Sequence, residues 1–295
     1  MQDTNIQMTN NYDWINSQFV NIVDNQGIYY ILSPPKELEN NLSRNVICIK
    51  ENNKFKMICP SLNKFNSEEE FMSDKISSEK LLFEKLVEGF EINLFFNDYG
   101  EWIIFTQDTI NANRQYLINY IKITYRDMFL SACEYVKLDL SELDNNYSYS
   151  FIIQHPFFQS VFTFKEPRIY LIATYNRSKF DNINFENNFT YYSSIKSEKY
   201  NKMYYPEKIF LRSNDILTFY DETTDNIITY DPLKLLIDEW SNNLPLVVHN
   251  SDVKENNEYR HPYCEMGIVI YNLETGKRMK ILNPHFEYVR MKNNL

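Results

Sequence analysis

The stretch from residue 81 to 110, LLFEKLVEGFEINLFFNDYGEWIIFTQDTI, constrains the fold of this chain most. Two short apolar runs, Ile92–Phe96 and Trp102–Thr106, flank Asn97-Asp98-Tyr99-Gly100, a cluster of turn-forming residues. Aromatic and β-branched residues on both sides of a short Gly-containing connection predict an antiparallel hairpin over residues 88–106. Just upstream, Glu88-Gly89 sets a carboxylate beside a residue able to take positive φ. Such a pair lets a backbone approach a ligand closely; a surface hairpin behind a helix-ending glycine is the structural alternative.

Composition narrows the function classes. With 295 residues and 43% hydrophobic content the chain is long enough to bury a sizeable core and too apolar to be wholly disordered. Gly numbers only 5, and no GxGxxG or GxxxxGK[ST] pattern occurs, which argues against a Gly-rich phosphate loop. The net charge of −10 excludes a general nucleic-acid glue, so a nucleic-acid site has to be a local basic groove on an acidic body. No apolar run reaches the length of a membrane span, and the N-terminus MQDTNIQMTNN lacks a signal-peptide core. Cys48, Cys59, Cys133 and Cys264 are scattered without metal-finger spacing, so reduced cytosolic thiols and a cytoplasmic protein are expected. The histidines at 155, 249, 261 and 285 form no metal-ligand pattern, and His155 beside Pro156 reads as a hydrogen-bonded structural residue.

In chain order, residues 1–26 read as a polar N-terminal extension with a helix around Asp13-Trp14-Ile15, Phe19-Val20 and Val23. Gly27–Leu32 predicts a strand, and Asn45–Lys50 with Lys54–Ile58 a hairpin entered at Arg44. Residues 60–70 form a loop holding Lys64-Phe65-Asn66 and an acidic run, Glu68–Glu70. From Asn113 to Val136 the apolar residues Leu117, Ile121, Tyr125, Met128, Ala132 and Val136 make a helical stripe, the longest helix expected. Strands are expected at Tyr147–Ile153, Val161–Phe164 and Ile169–Thr174, and a mobile insertion over 176–206. Short strands at Ile209–Leu211 and Ile216–Tyr220 precede a helix from Asp231-Pro232 to Trp240, with Asp as N-cap. A polar loop over 250–259 and a closing pair of strands, Gly267–Tyr271 and Arg278–Leu282, around Glu274-Thr275-Gly276 complete the reading.

The order of short motifs resembles the covalent nucleotidyltransferases, specifically the ATP-dependent RNA ligases of the phage type and their relatives in large DNA viruses. The resemblance runs from about Gly27 to Arg290, as a series of weak motifs. The family's Arg-led hairpin and Lys-Phe-Phe-Asn segment look like Arg44-Asn45-Val46 and Lys64-Phe65-Asn66, one Phe short. Its nucleophile motif, Lys-x-Asp/Glu-Gly before a hairpin with a Trp on the second strand, looks like Leu86-Val87-Glu88-Gly89 with Trp102. Its Tyr-x-Phe-x-Phe-Glu strand is approximated by Tyr149 to Gln154, and the closing pair by Met266-Gly267-Ile268-Val269 and Arg278-Met279-Lys280.

The resemblance implies an α+β fold: a two-lobed antiparallel nucleotidyltransferase (ATP-grasp-like ligase) core with outer helices, here over residues 27–295. It implies strands of the 88–106 hairpin sharing one sheet with 147–154 and 267–282. It further implies that Arg44, Lys64, Arg278 and Lys280 converge, and that with Glu88 and Gly89 they bind nucleotide or phosphate. In the family a lysine amine attacks the α-phosphorus of ATP, expels pyrophosphate and keeps AMP as a phosphoramidate, with Mg²⁺ held by carboxylates. Against that template Leu86 stands at the nucleophile position with Lys85 one residue away, and a one-residue slip in a strand turns a side chain to the opposite face. Gln154 and Met266 replace carboxylates, Glu265 is again one off, and Gln107 follows the Thr where the family often has Lys. No metal ligand is assigned. The leading expectation is a protein with an eroded adenylylation site that binds nucleotide or RNA ends. The alternatives are a working ligase that uses Lys85 with ATP and Mg²⁺, and an interaction or virion-structural protein keeping only the fold.

Overall fold

The computed structural model describes residues 21–33, 45–51, 54–62, 64–73, 81–118, 121–158, 161, 163–176, 189–191, 202–206, 266–273 and 277–292. The expected helix before residue 21, both short strands between 209 and 220, the helix to Trp240, the loop at 250–259 and the turn at 274–276 lie outside them. The chain forms two compact units: Met1–Lys64, Phe90–Phe157 and Glu166–Tyr205 make the first, and Phe65–Gly89, Phe158–Lys165 and Pro206–Leu295 the second. Every sheet among the described residues is antiparallel, the expected α+β class. Among the described residues no helix is long and apolar enough to cross a membrane.

In the first unit, β1 (Asn21–Gln26), β2 (Tyr29–Ser33), β3 (Val46–Glu51) and β4 (Lys54–Pro60) follow one another in a meander. The polar extension expected through residue 26 thus ends in a strand. Ile22 and Val23 favour extended backbone, and Gly27 at φ 66° turns the chain back into β2. The helix α1 (Glu68–Met72) of the second unit replaces the expected loop at the acidic run. Ser67 caps it, accepting from Glu70 N–H at 3.1 Å while the Glu70 carboxylate accepts from Ser67 N–H at 3.0 Å.

The 88–106 hairpin is found as β6 (Phe90–Phe96) and β7 (Trp102–Phe105). Asn97 builds its turn: the side-chain oxygen accepts from Tyr99 N–H at 3.0 Å and Glu101 N–H at 2.8 Å. With β10 (Tyr147–Gln154), β11 (Arg168–Asn176) and β12 (Phe189–Tyr191) these strands form a five-stranded sheet in the order β12-β11-β10-β6-β7. Both faces of β2 and β3 are buried. Leu32, Val46, Cys48 and Met57 pack with Ala173 and Tyr175 of β11, while Ile31, Ile47 and Cys59 pack with Phe95 and Phe105.

The long helix expected from Asn113 is shorter. Residues Gln115–Ile118 (β8) and Ile121–Thr124 (β9) form a two-stranded hairpin, and helix α2 spans Tyr125–Val136. Leu117 and Ile121 are four apart on a helix, but here they lie on opposite strands, where Ile118 pairs with Ile121. Thr124 decides the boundary: its side chain caps Asp127 N–H at 3.0 Å, and the Asp127 carboxylate accepts from Thr124 N–H at 3.1 Å. α2 buries Met128, Phe129, Ala132 and Cys133, and Phe129 stacks on Phe151 of β10 at 6.0 Å. The strand expected at Val161–Phe164 is missing from its described residues, Val161, Thr163 and Phe164. The Val161 N–H donates to Glu88 Oε1 at 3.0 Å instead of to a neighbouring strand.

In the second unit, β5 (Leu81–Lys85), β13 (Gly267–Asn272) and β14 (Arg278–Leu282) form a three-stranded sheet in the order β14-β13-β5, followed by helix α3 (Pro284–Lys292). This corrects the expectation of one shared sheet: 88–106 pairs with 147–154, whereas 267–282 pairs with 81–85. The division falls at Gly89, whose φ of 151° is one that residues with side chains rarely adopt.

Two outcomes follow from this packing. Gly267 has φ 154°, and a Cβ there would sit 2.1 Å from the Ile281 carbonyl oxygen. Gly267→Ala should therefore lower unfolding free energy in urea by at least about 2 kcal/mol. Gly27→Ala, with nothing within 4 Å of the added carbon, should carry only the cost of positive φ, about 1 kcal/mol. The second concerns His155, which is 5% exposed. Its Nδ1 accepts from Phe157 N–H at 3.1 Å, so the proton sits on Nε2, 2.9 Å from the Ser131 hydroxyl. Burial holds its pKa below the ordinary histidine value, so the unfolded chain binds the proton more readily than the folded one. Stability should fall as pH drops through about 6.5, and His155→Asn should flatten that part of the profile in urea titrations.

Candidate functional site

The three-stranded sheet of the second unit sorts its charges by register. Glu84 pairs with Val269, which pairs with Lys280. One residue on, Lys85 pairs with Ile268, which pairs with Ile281. Directly opposed residues share a face and the side-chain period is two, so Lys85 lies on the opposite face from Lys280. The Leu86 N–H donates to Gly267 O at 2.8 Å and continues the ladder. Leu86, not Lys85, therefore falls on the face of Glu84 and Lys280.

That face is overlaid by Phe65. Its ring centroid is 4.1 Å from the Arg278 guanidinium carbon and 5.2 Å from Lys280 Nζ. Asn66 fixes the ring's position: its N–H donates to Arg278 O at 2.8 Å, and its side-chain oxygen accepts from Arg278 N–H at 3.2 Å. Lys277 Nζ donates to Glu70 O at 3.4 Å and ties α1 to the same strand. Arg278 is 5% exposed, Glu84 7% and Tyr271 2%, whereas Lys280 is open to solvent. Burial raises the Tyr271 phenol well above its ordinary pKa; the Glu84 charge adds to this, and the Arg278 charge and hydrogen bond oppose it.

The first unit carries a separate polar network. Glu91, just inside β6, accepts from Leu62 N–H at 3.3 Å, from Asn93 Nδ2 at 2.9 Å and from Gln107 Nε2. The Gln107 carbonyl accepts from Asn45 Nδ2, and Ser150 donates to Asn93 Oδ1. Ser61 and Asn45 close the set, with Ser61 Oγ donating to Asn45 O at 2.7 Å. At 107 a neutral amide thus meets the Glu91 carboxylate where the family resemblance implies a lysine.

Of the residues expected at a site, Arg278 and Lys280 come together under Phe65 in the second unit, Lys64 belongs to the first, and Arg44 lies outside the described residues. Glu88 is buried and its Oε1 accepts from Val161 N–H at 3.0 Å, with Gly89 following at φ 151°. Gln154 closes β10 opposite Arg168, and Met266 precedes β13. Phe65, Glu84, Tyr271, Glu91 and Asn93 were not expected at a site. The period-two spacings Glu84-x-Leu86, Glu91-x-Asn93 and Arg278-x-Lys280 carry that signal, once the strands are known. Cys48, Cys59 and Cys133 are buried and not in disulfides, and burial pushes the Cys133 thiol up to about 12, so no thiolate nucleophile is offered there. His155 donates through Nε2 to Ser131, so it cannot act as that serine's base.

No protein-family model matches the sequence, and no curated protein matches it. Among solved structures the chain is similar to an archaeal ATP-dependent RNA ligase (form 2), with 8% identity, TM-score 0.45, 91% of this chain and 59% of that chain covered. It is also similar to a lysine-to-alanine mutant of Naegleria gruberi RNA ligase with ATP and Mn, with 8% identity, TM-score 0.38, 94% of this chain and 98% of that chain covered. The chain thus spans about three-fifths of the archaeal ligase's length.

Proposed function

We propose that the chain is an RNA-ligase-like protein with an eroded adenylylation site, which binds nucleotide or RNA ends without forming lysyl-AMP. The observation that carries this reading is the register of β5: Leu86 shares the face of Lys280, and Lys85 lies on the other. A lysine amine must reach the phosphorus it attacks, and a side chain turned to the opposite face of a sheet does not share a ligand with Lys280. On this reading the ligand is held by charge, through Lys280, exposed on the second unit's sheet. Residues 27–295 make up the ligase-like domain in this reading.

The described residues do not fit a divalent metal. Among the described residues no group of three or more His, Cys, Asp or Glu side chains converges, and the matched carboxylate positions carry Gln154 and Met266.

Intact-mass measurement after incubation with ATP and Mg²⁺ or Mn²⁺ should show an unchanged protein. Added mass of one AMP, abolished by Lys85→Ala, overturns the reading and makes the protein a working adenylyltransferase. Fluorescence anisotropy with a 5′-phosphorylated oligoribonucleotide should show binding that weakens as salt rises, because phosphate contacts release counterions. Salt-independent binding, or none, would favour an interaction protein that kept only the fold.

A further inference from the structure

We infer that the first unit carries a base-stacking platform for single-stranded RNA, built from two ring–cation stations: Tyr204 with Arg168 and Tyr170, and Phe55 with Lys50 and Tyr30. The inference rests on the RNA-binding reading above and deepens it, from capture of a nucleotide or an end to contact with the bases of a strand. At the first station the Arg168 guanidinium carbon lies 5.4 Å from the Tyr204 ring centroid. Arg168 also hydrogen-bonds Tyr170, and the Tyr170 and Tyr204 rings meet at 5.5 Å. At the second, Lys50 Nζ is 5.6 Å from the Phe55 ring centroid, and Phe55 meets Tyr30 edge-on at 5.3 Å. None of these residues belongs to the motifs that carry the family resemblance.

The strand registers set both stations on one core. Lys50 pairs with Phe55, and Cys48 pairs with Tyr30 and Met57, so Tyr30, Cys48, Lys50 and Phe55 share a face. Arg168 and Tyr170 share a face of β11, and Tyr30, Phe55 and Tyr170 all pack against the cluster of Leu32, Val46, Cys48 and Ala173. Each stripe thus runs from buried apolar residues out to a cation. Lys50 is exposed, and Tyr204 is 44% exposed.

Glu166 holds the guanidinium: its Oε1 accepts from Arg168 at 3.1 Å, and its Oε2 from the Tyr135 hydroxyl at 3.0 Å. That carboxylate also offsets the Arg168 charge, so the first station offers a π surface more than a phosphate contact. Lys50 makes no ion pair among the described residues, so the second station sets a ring beside an available charge. A single strand matches such pairs, because each nucleotide brings a base for the ring and a phosphate for the cation.

The test compares two probes of equal length and charge by fluorescence anisotropy: a short 5′-phosphorylated oligoribonucleotide and an abasic phosphodiester strand. Each stacked base contributes about fivefold or more in affinity, so the wild type should prefer the base-bearing strand by at least that factor. Tyr204→Ala should cut the preference about fivefold or more, while affinity for the abasic strand and the slope of log K against log salt stay unchanged. Tyr204→Phe, which keeps the ring, should keep the preference. Lys50→Ala should instead reduce the salt slope by about 0.7, one phosphate contact on a single strand.

Equal affinity for the two strands overturns the inference and leaves the RNA-binding reading standing. A base preference untouched by Tyr204→Ala also overturns it, and the exposed ring then belongs to a protein partner. Binding of neither strand sinks the RNA-binding reading itself, and the platform with it.

Discussion

The close approach of Gly267 to the Ile281 carbonyl fixes the register on which the second unit depends. A Cβ at that position would stand 2.1 Å from the carbonyl oxygen, so β13 lies against β14 only because the residue has no side chain. With that pairing set, every side chain of β5, β13 and β14 is assigned to a face by the period of two. The consequences are concrete: Leu86 beside Lys280, Lys85 opposite, and Arg278 one rung from Lys280 under the same aromatic ring.

The first unit solves a different problem, that of polar groups inside a β-rich core. Glu91, Asn93, Gln107, Asn45, Ser61 and Ser150 bond mainly to one another and to nearby backbone. A buried polar group left without a partner costs far more than a bonded one gains, so such a network is stable only as a whole. Around it sit the apolar clusters of Phe95, Phe105 and Tyr175 with the inner residues of β2, β3 and β4. Aromatic stacking of Phe129 and Tyr149 on Phe151 completes the layer beneath α2.

Much of this was legible in the sequence where local chemistry and pattern agree. The 97–100 turn, the alternation of β10 and the closing strands β13 and β14 each carry a period-two pattern bounded by turn residues. The helix boundary at Thr124 was not legible from the stripe, because Leu117 and Ile121 satisfy helical spacing while lying across a hairpin. A capping box, Thr124 to Asp127, was the local signal that competed with the period. Which sheet receives each strand was not legible either, since alternation reports a strand's faces and not its neighbours. The pairing of β5 with β13 joins residues nearly two hundred positions apart in the chain. Phe65 as a cover for two cations follows from the bonds of Asn66 to Arg278, 212 positions away, and no spacing in the sequence encodes it.

The placement of Lys85 also limits how this chain can change over evolutionary time. Sliding β5 by one residue would bring the lysine to the face of Lys280, but the same slide would move Glu84 off that face and turn Phe83 from its buried side. Gly267 would still dictate where β13 sits, so the slide cannot be shared with its neighbours. A slide of the whole strand is therefore closed as a route to an amine beside Lys280. Substitution at position 86 itself is the route the register leaves open, one side chain exchanged while the ladder stays in place.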